Sequence, residues 1–268
     1  MATELAGGKL LLDEPAEAIA RLRINNPAKR NALDHDILDA LAETLPKLDR
    51  GIEVRCVVIT GAEEHFSAGY DISAISEQAL ERDARALVAH PFNVAIEAIA
   101  DHPWPTVAAI EGDCLGGGLE LAITCDLRIC TGTARLGMPP VKLGLIYGHT
   151  GLRRFLDAIG LARTKEMFLT GSDITAQRAR EIGLVHDVVG DEDLERASIE
   201  LAEGIASNAP LSLKGNKRAI ETLNANPVLR PQQEVELVEL REASLASDDF
   251  REAITAFAEK RKPQWRGR

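Results

Sequence analysis

Residues 18–24 (AIARLRI) alternate apolar and polar positions, which predicts a strand with one covered face. VRCVVIT at 54–60 is nearly continuous and rich in β-branched residues, as expected of a strand covered on both faces. Between them the spacing predicts a helix that opens at Asp34 and buries Ile37, Leu38, Leu41, Leu45 and Leu48. A second helical stretch covers about 77–100, with a break at Pro91. PTVAAIEG (105–112) reads as another strand, followed by the glycines 116–118, an apolar helix through LELAITC, and strands at 127–130 and 133–136. From residue 149 the pattern turns helical, at 150–158, 162–169, 175–182, 191–207, 210–223, 231–246 and 249–261, with only LVHDVV (184–189) interrupting. The chain therefore reads as an α/β protein, with a core at 1–200 and a helical C-terminal region at 201–268. No Pro/Gly/Ser-rich linker separates the two.

Charge narrows the function classes. The 268 residues carry 31 Lys and Arg against 42 Asp and Glu, a net charge of −11. Such a chain has no broad positive field, so binding to nucleic acid or an anionic membrane by bulk attraction is excluded as an expectation, and any anionic ligand must be held at local points. The last nine residues, KRKPQWRGR, are the exception, with five basic side chains and no acidic one. No apolar run approaches the ~20 residues that span a bilayer, and the opening MATELAGGKLLLDEPAE has no secretory pattern, so a cytoplasmic location is expected. Cys56, Cys114, Cys125 and Cys130 form no CxxC pair and lie in apolar segments. Reduced, buried thiols are expected there, with no metal site.

Three segments could carry chemistry. In HFSAGYDI (65–72), the small residues Ser67, Ala68 and Gly69 let a ligand approach the backbone, although a tight turn needs the same residues. In EGDCLGGGLELAITCD (111–126), three glycines open a helix whose first N–H groups lack intrahelical acceptors and carry partial positive charge, a seat for a phosphate or a developing oxyanion. The spacing fits neither a dinucleotide fingerprint nor a phosphate loop. Glu120 lies in the first turn of that helix, where the dipole alone would favour an acid. RLGMPPVKLGLIYGHTG (135–151) offers Tyr147 and His149 as proton carriers. The chain's only two tyrosines, Tyr70 and Tyr147, both fall in these glycine-rich segments.

Taken in order, NPAKRNAL (26–33), HFSAGYDI, GGGLE (116–120), the following CDLRI, ITAQRAREIGLVHDVV (174–189) and the terminal FAEKRKP resemble the crotonase superfamily, the enoyl-CoA hydratase/isomerase family. The resemblance implies a crotonase-type spiral of ββα units with a C-terminal helical trimerisation region, assembled as a homotrimer or homohexamer. It also implies an acyl-CoA substrate and no cofactor beyond the coenzyme A of that substrate. Two peptide N–H groups would grip the thioester carbonyl, those of Tyr70 and Gly117, and stabilise an enolate. Hydratases of the family add a pair of glutamates; Glu120 matches the first, but Pro140 stands at the second. The segment TKEMFLTGSDITAQRAREIGLVHDVV, with SDDFREAITAFAEKRKP, is similar to the methylmalonyl-CoA decarboxylases of the superfamily, which carry a tyrosine matching Tyr147 and a glutamate matching Glu120. Tyr70 departs from them, standing where they have histidine, and so does GHTG after Tyr147. The resemblance thus implies a lyase that decarboxylates a malonyl-type CoA ester, with an enoyl-CoA hydratase/isomerase using Glu120 and a non-catalytic acyl-CoA binder as alternatives. Coenzyme A contacts carried over by motif are Lys29 and Arg30 for the nucleotide end, the backbones of Ala68, Asp71 and Ile72 for the adenine, and Phe257 with Lys260 from a neighbouring helix or subunit.

Overall fold

The computed structural model describes residues 2–49, 51–71, 91–226 and 228–268. Its larger sheet runs in the order β1 (Thr3–Leu5), β2 (Leu10–Ala16), β3 (Ile19–Ile24), β4 (Cys56–Gly61), β5 (Thr106–Ile110), β7 (Leu127–Thr131) and β10 (Asp187–Val189). The first three strands pair antiparallel and the rest parallel. A second sheet joins β6 (Asp113–Leu115), β8 (Arg135–Gly137) and β9 (Ile174–Thr175). The α/β fold expected from the sequence is present.

Strand β4 has the two covered faces that its unbroken apolar run predicts. Val57 and Ile59 point into the main core with Leu22, Ile24, Ala108 and Ile110, together with α1 (His35–Thr44) and α2 (Pro91–Ala100). Cys56 and Val58 point the other way, onto a smaller core closed by the helix Leu194–Ala206. Asp34 caps α1 by accepting from the Ile37 N–H at 3.0 Å, which satisfies one of the four orphan donors of the helix start.

Strand β3 departs from its predicted half-exposure. Arg21, on the supposed solvent face, is only 8% exposed. The helix Leu194–Ala206 lies over that face, and Arg21 stays charged there by donating to Asp13 at 2.9 and 2.6 Å and to Glu195 at 2.6 Å. Strand β2, LLLDEPA, contains a proline, and its pairing with β3 is irregular between Asp13 and Ala16.

After α3 (Gly117–Thr124), the two helices expected at 150–158 and 162–169 are present as the two segments of α4 (His149–Thr170), which meet in a kink at Gly160 where φ is 72° and ψ 170°. Then follow α5 (Ala176–Glu181), α6 (Leu194–Ala206), α7 (Pro210–Ala225), α8 (Pro231–Ala246) and α9 (Asp248–Glu259). The part of the second predicted helix before Pro91 lies outside the described residues. All four cysteines are buried free thiols, and burial raises those of Cys56, Cys125 and Cys130 to about 12. No helix among the described residues is long and apolar enough to cross a membrane.

Candidate active site

Two loops carry the peptide groups singled out in the sequence. Leu33 donates its N–H to the Gly69 carbonyl at 2.8 Å, and its own carbonyl accepts from the Asp71 N–H at 3.0 Å, so residues 33 and 70 form a parallel bridge. In such a ladder the flanking residues spend their groups on the partner strand, so the N–H of Tyr70 faces the opposite edge. Toward that edge lies the start of α3. A Cβ on Gly69 would come within 3.3 Å of the Gly117 nitrogen and 2.7 Å of the Leu115 carbonyl. Only glycine permits this approach, at φ 96°. Gly117 is the first residue of α3, and its N–H has no intrahelical acceptor. The two peptide groups thus lie side by side on adjoining loops.

Glu120 follows in the first turn of α3 and is 4% exposed. The Tyr147 hydroxyl, carried by the connection into α4, donates to its carboxylate. Burial raises the Glu120 pKa, while the Tyr147 hydrogen bond and the positive field of Arg154 act in the opposite sense. The Tyr147 hydroxyl is pushed well above its ordinary range, first by burial and then by the charge of Glu120. The pair therefore shares one proton-holding environment, with the tyrosine as the obligate donor when the carboxyl is ionised.

Gly151, which the sequence reading passed over, makes the pairing possible. A Cβ there would lie 2.7 Å from the Tyr147 ring and 2.8 Å from a Glu120 oxygen. The signal was present in the GHTG following Tyr147. Arg154, one turn further on, has its Nε buried without a hydrogen-bond partner among the described residues. Aromatic rings wall the site: Tyr70 stacks obliquely on Phe92 at 5.1 Å, and Tyr147 on Phe168 at 5.5 Å. Burial followed by the Glu120 charge raises the Tyr70 hydroxyl as well, so both phenols stay protonated near neutrality.

Of the other residues expected, Pro140 is buried in a 3₁₀ turn at Pro139–Leu143 and has no side-chain proton to exchange. His149 is exposed as the first residue of α4. Lys29 pairs with Asp71 at 2.6 Å and Arg30 with Asp113 at 3.1 Å, while the Arg30 carbonyl accepts from the Ala68 N–H at 2.9 Å. These residues are brought together beside the peptide groups. Ile72 lies outside the described residues. Phe257 is 88% exposed near the end of α9, and Lys260 caps that helix in the left-handed region. Among the described residues no side-chain hydrogen bond, ion pair or ring contact links either to the cluster around Glu120. No group of three or more His, Cys, Asp or Glu among the described residues is placed to hold a metal ion.

Residues 14–268 match the family model described as enoyl-CoA hydratase/isomerase. The chain is 34% identical over 249 residues to the short-chain-enoyl-CoA hydratase of Clostridium acetobutylicum, covering 91% of this chain and 92% of the relative. It is 32% identical over 251 residues to the methylmalonyl-CoA decarboxylase of Escherichia coli, covering 93% and 95%. The crystal structure of enoyl-CoA hydratase from Bacillus anthracis matches with a TM-score of 0.89 at 32% identity, covering 97% of this chain and 100% of that one.

Proposed function

Given that the chain belongs to the enoyl-CoA hydratase/isomerase family, we propose that it forms the enolate of an acyl-CoA thioester and protonates it at carbon. In this reading the N–H groups of Tyr70 and Gly117 hold the thioester oxygen, and the Glu120–Tyr147 pair handles the proton. Two such donors, preorganised where negative charge develops, lower the barrier by ~3 kcal/mol each. The observation that carries the reading is the buried Glu120 carboxyl paired with Tyr147 beside those peptide groups, with proline at 140.

The reaction we favour is decarboxylation of methylmalonyl-CoA or a related malonyl-type ester. The bond between the α-carbon and the carboxylate breaks, CO2 leaves, and the electron pair becomes the enolate. A proton delivered from the Glu120–Tyr147 pair to the α-carbon completes the acyl-CoA product, and solvent restores it. No strong base is required, which suits a site with one carboxylate whose burial favours the protonated form. Incubation with methylmalonyl-CoA is expected to yield propionyl-CoA and CO2; absence of both rejects decarboxylation of that ester.

A second reading rests on the hydratase and isomerase names among the relatives. One carboxylate suffices to move a proton from C2 to C4 of a 3-enoyl-CoA, whereas hydration also needs Tyr147 or a water chain to serve the second proton. Loss of the conjugated-thioester absorbance of crotonyl-CoA would support hydration. If CoA esters bind but a mixed acyl-CoA pool shows no gain of water, loss of CO2, isomerisation or cleavage, the protein is a binder.

For coenzyme A the same reading assigns Lys29 and Arg30 to the phosphates. The N–H groups of Ala68 and Asp71 are already given to Arg30 and Leu33, so the adenine would meet the carbonyl side of residues 68 and 71, with Ile72 kept as the third expected contact. Phe257 and Lys260 would come from a neighbouring copy in a homotrimer or homohexamer. No further cofactor enters, and the setting is cytoplasmic.

A further inference from the structure

We propose that Asp113 is a positioning residue that holds the loop of Tyr70 in register with the glycine turn of Gly117; this rests on the oxyanion-hole reading above. Asp113 is 4% exposed and begins β6, four residues before Gly117. Its backbone is laced to the other loop: its N–H donates to His65 Nδ1 at 3.2 Å, its carbonyl accepts from the Ser67 N–H at 2.9 Å, and Ser67 in turn accepts from the Leu115 N–H at 3.0 Å. Its carboxylate gathers two further segments. Arg135, its register partner on β8, donates through Nε and Nη2 to Oδ1 at 2.9 and 2.7 Å. Arg30 donates to Oδ2 at 3.1 Å, and the Arg30 carbonyl takes the Ala68 N–H two residues before Tyr70.

Asp113 therefore links residues 65 and 67 through its backbone and residues 30 and 135 through its buried carboxylate, and both proposed donors lie on segments that adjoin these links. The two guanidiniums are 59% and 55% exposed. Arg135 also faces Asp173 at 3.7 Å, so Asp113 and Asp173 together hold Arg135, while Arg30 is held by Asp113 with an exposed edge left toward solvent. A charged carboxylate gripping two arginines is shorter-bonded and stiffer than a neutral contact, which suits a strut under a donor pair whose placement must hold to a fraction of an ångström.

The test uses the full chain and [1-13C]propionyl-CoA, a saturated thioester, with the carbonyl stretch of the bound ester read by isotope-edited infrared difference spectroscopy. Wild-type protein is expected to lower that frequency, and Asp113→Asn to lower it by less than half as much. On the ester found to turn over, kcat should fall roughly 10- to 100-fold with KM within about threefold. Arg135→Lys should lie closer to wild type than Arg135→Gln in both readouts. A wild-type carbonyl shift in Asp113→Asn, or a defect confined to melting temperature, overturns the positioning role while leaving the oxyanion hole intact. No carbonyl shift in the wild-type protein removes the oxyanion reading and this one together. Should Asp113→Asn fail to fold, the Arg135 pair decides: equal carbonyl shifts in Arg135→Gln and wild type count against the proposal.

Discussion

Glu120 concentrates the chemistry in one side chain whose ionisation is contested by its surroundings. Burial favours the acid, and the Tyr147 hydroxyl favours the carboxylate. Removing that hydroxyl in Tyr147→Phe leaves burial less opposed, so the limb of the kcat/KM–pH profile that reports Glu120 should move to higher pH. An unmoved limb would separate Tyr147 from the working carboxyl. The same balance bears on stability. Folding raises the Glu120 pKa above its value in the unfolded chain, so the folded state holds the proton more tightly. The group costs nothing when both states are protonated, and the cost develops as pH rises through the folded pKa. Glu120→Gln should accordingly raise the melting temperature by roughly 2–4 °C at pH 8 and leave it unchanged at pH 4, while turnover falls ~10²- to 10⁴-fold. Equal melting temperatures at both pH values would show that the carboxyl is not strained.

At the scale of elements, close backbone approach decides what the side chains can do. Helix α4 begins against Glu120 and Tyr147 only because residue 151 lacks a Cβ. Gly151→Ala puts a methyl within 3 Å of both groups, and the helix start or the tyrosine ring must give way. A displacement of this size costs on the order of 10²-fold in rate when it moves a catalytic group. We expect kcat to fall at least 10-fold in steady-state assays while far-ultraviolet circular dichroism stays unchanged. A fully active Gly151→Ala would mean that the Glu120–Tyr147 contact is dispensable.

The whole molecule is held together by a polar seam as well as by the two cores. Lys217 of α7 reaches under the sheet to Asp126 at 2.7 Å and to the Trp104 carbonyl at 3.2 Å, and its side chain is 9% exposed. Nearby, Lys214 bonds Asp49 at 2.5 Å and lies 4.3 Å from the Trp104 ring centre. His102, buried beside them, is pushed down to about 4 chiefly by desolvation, and so stays neutral. Lys217→Met deprives Asp126 of its cation and should lower stability by about 1–2 kcal/mol, less than for a fully buried pair because Asp126 keeps some solvent. A urea midpoint equal to wild type would show that the seam contributes nothing. Beyond the seam, Ile220, Val235, Ile254 and Phe257 leave apolar side chains exposed along α7, α8 and α9. In the proposed homotrimer or homohexamer a neighbouring copy would cover these side chains. Light scattering should find three or six copies of the 29.0 kDa chain, and a monomer at micromolar concentration would count against the proposed assembly.

What the sequence determined by itself was everything that short-range pattern encodes. The two faces of β4, the Asp34 cap, the burial of four cysteines, and the glycines ahead of a helix all follow from spacing within about ten residues, because periodicity and capping are local physics. The family motifs placed Glu120 and Tyr147 in segments that the fold then joins. Pairings across the chain were decided only by the tertiary structure. Nothing near Arg21 reveals that α6 will cover it, and nothing in NPAKRNAL shows that Arg30 will lean on Asp113, 83 residues away. The break between the helices expected at 150–158 and 162–169 falls at Gly160, where φ is 72° and ψ 170°, another local signal that glycine carries in the sequence. The net charge of −11 excluded bulk attraction for anions, but the packing alone determined which cations are already spoken for by carboxylates of the same chain.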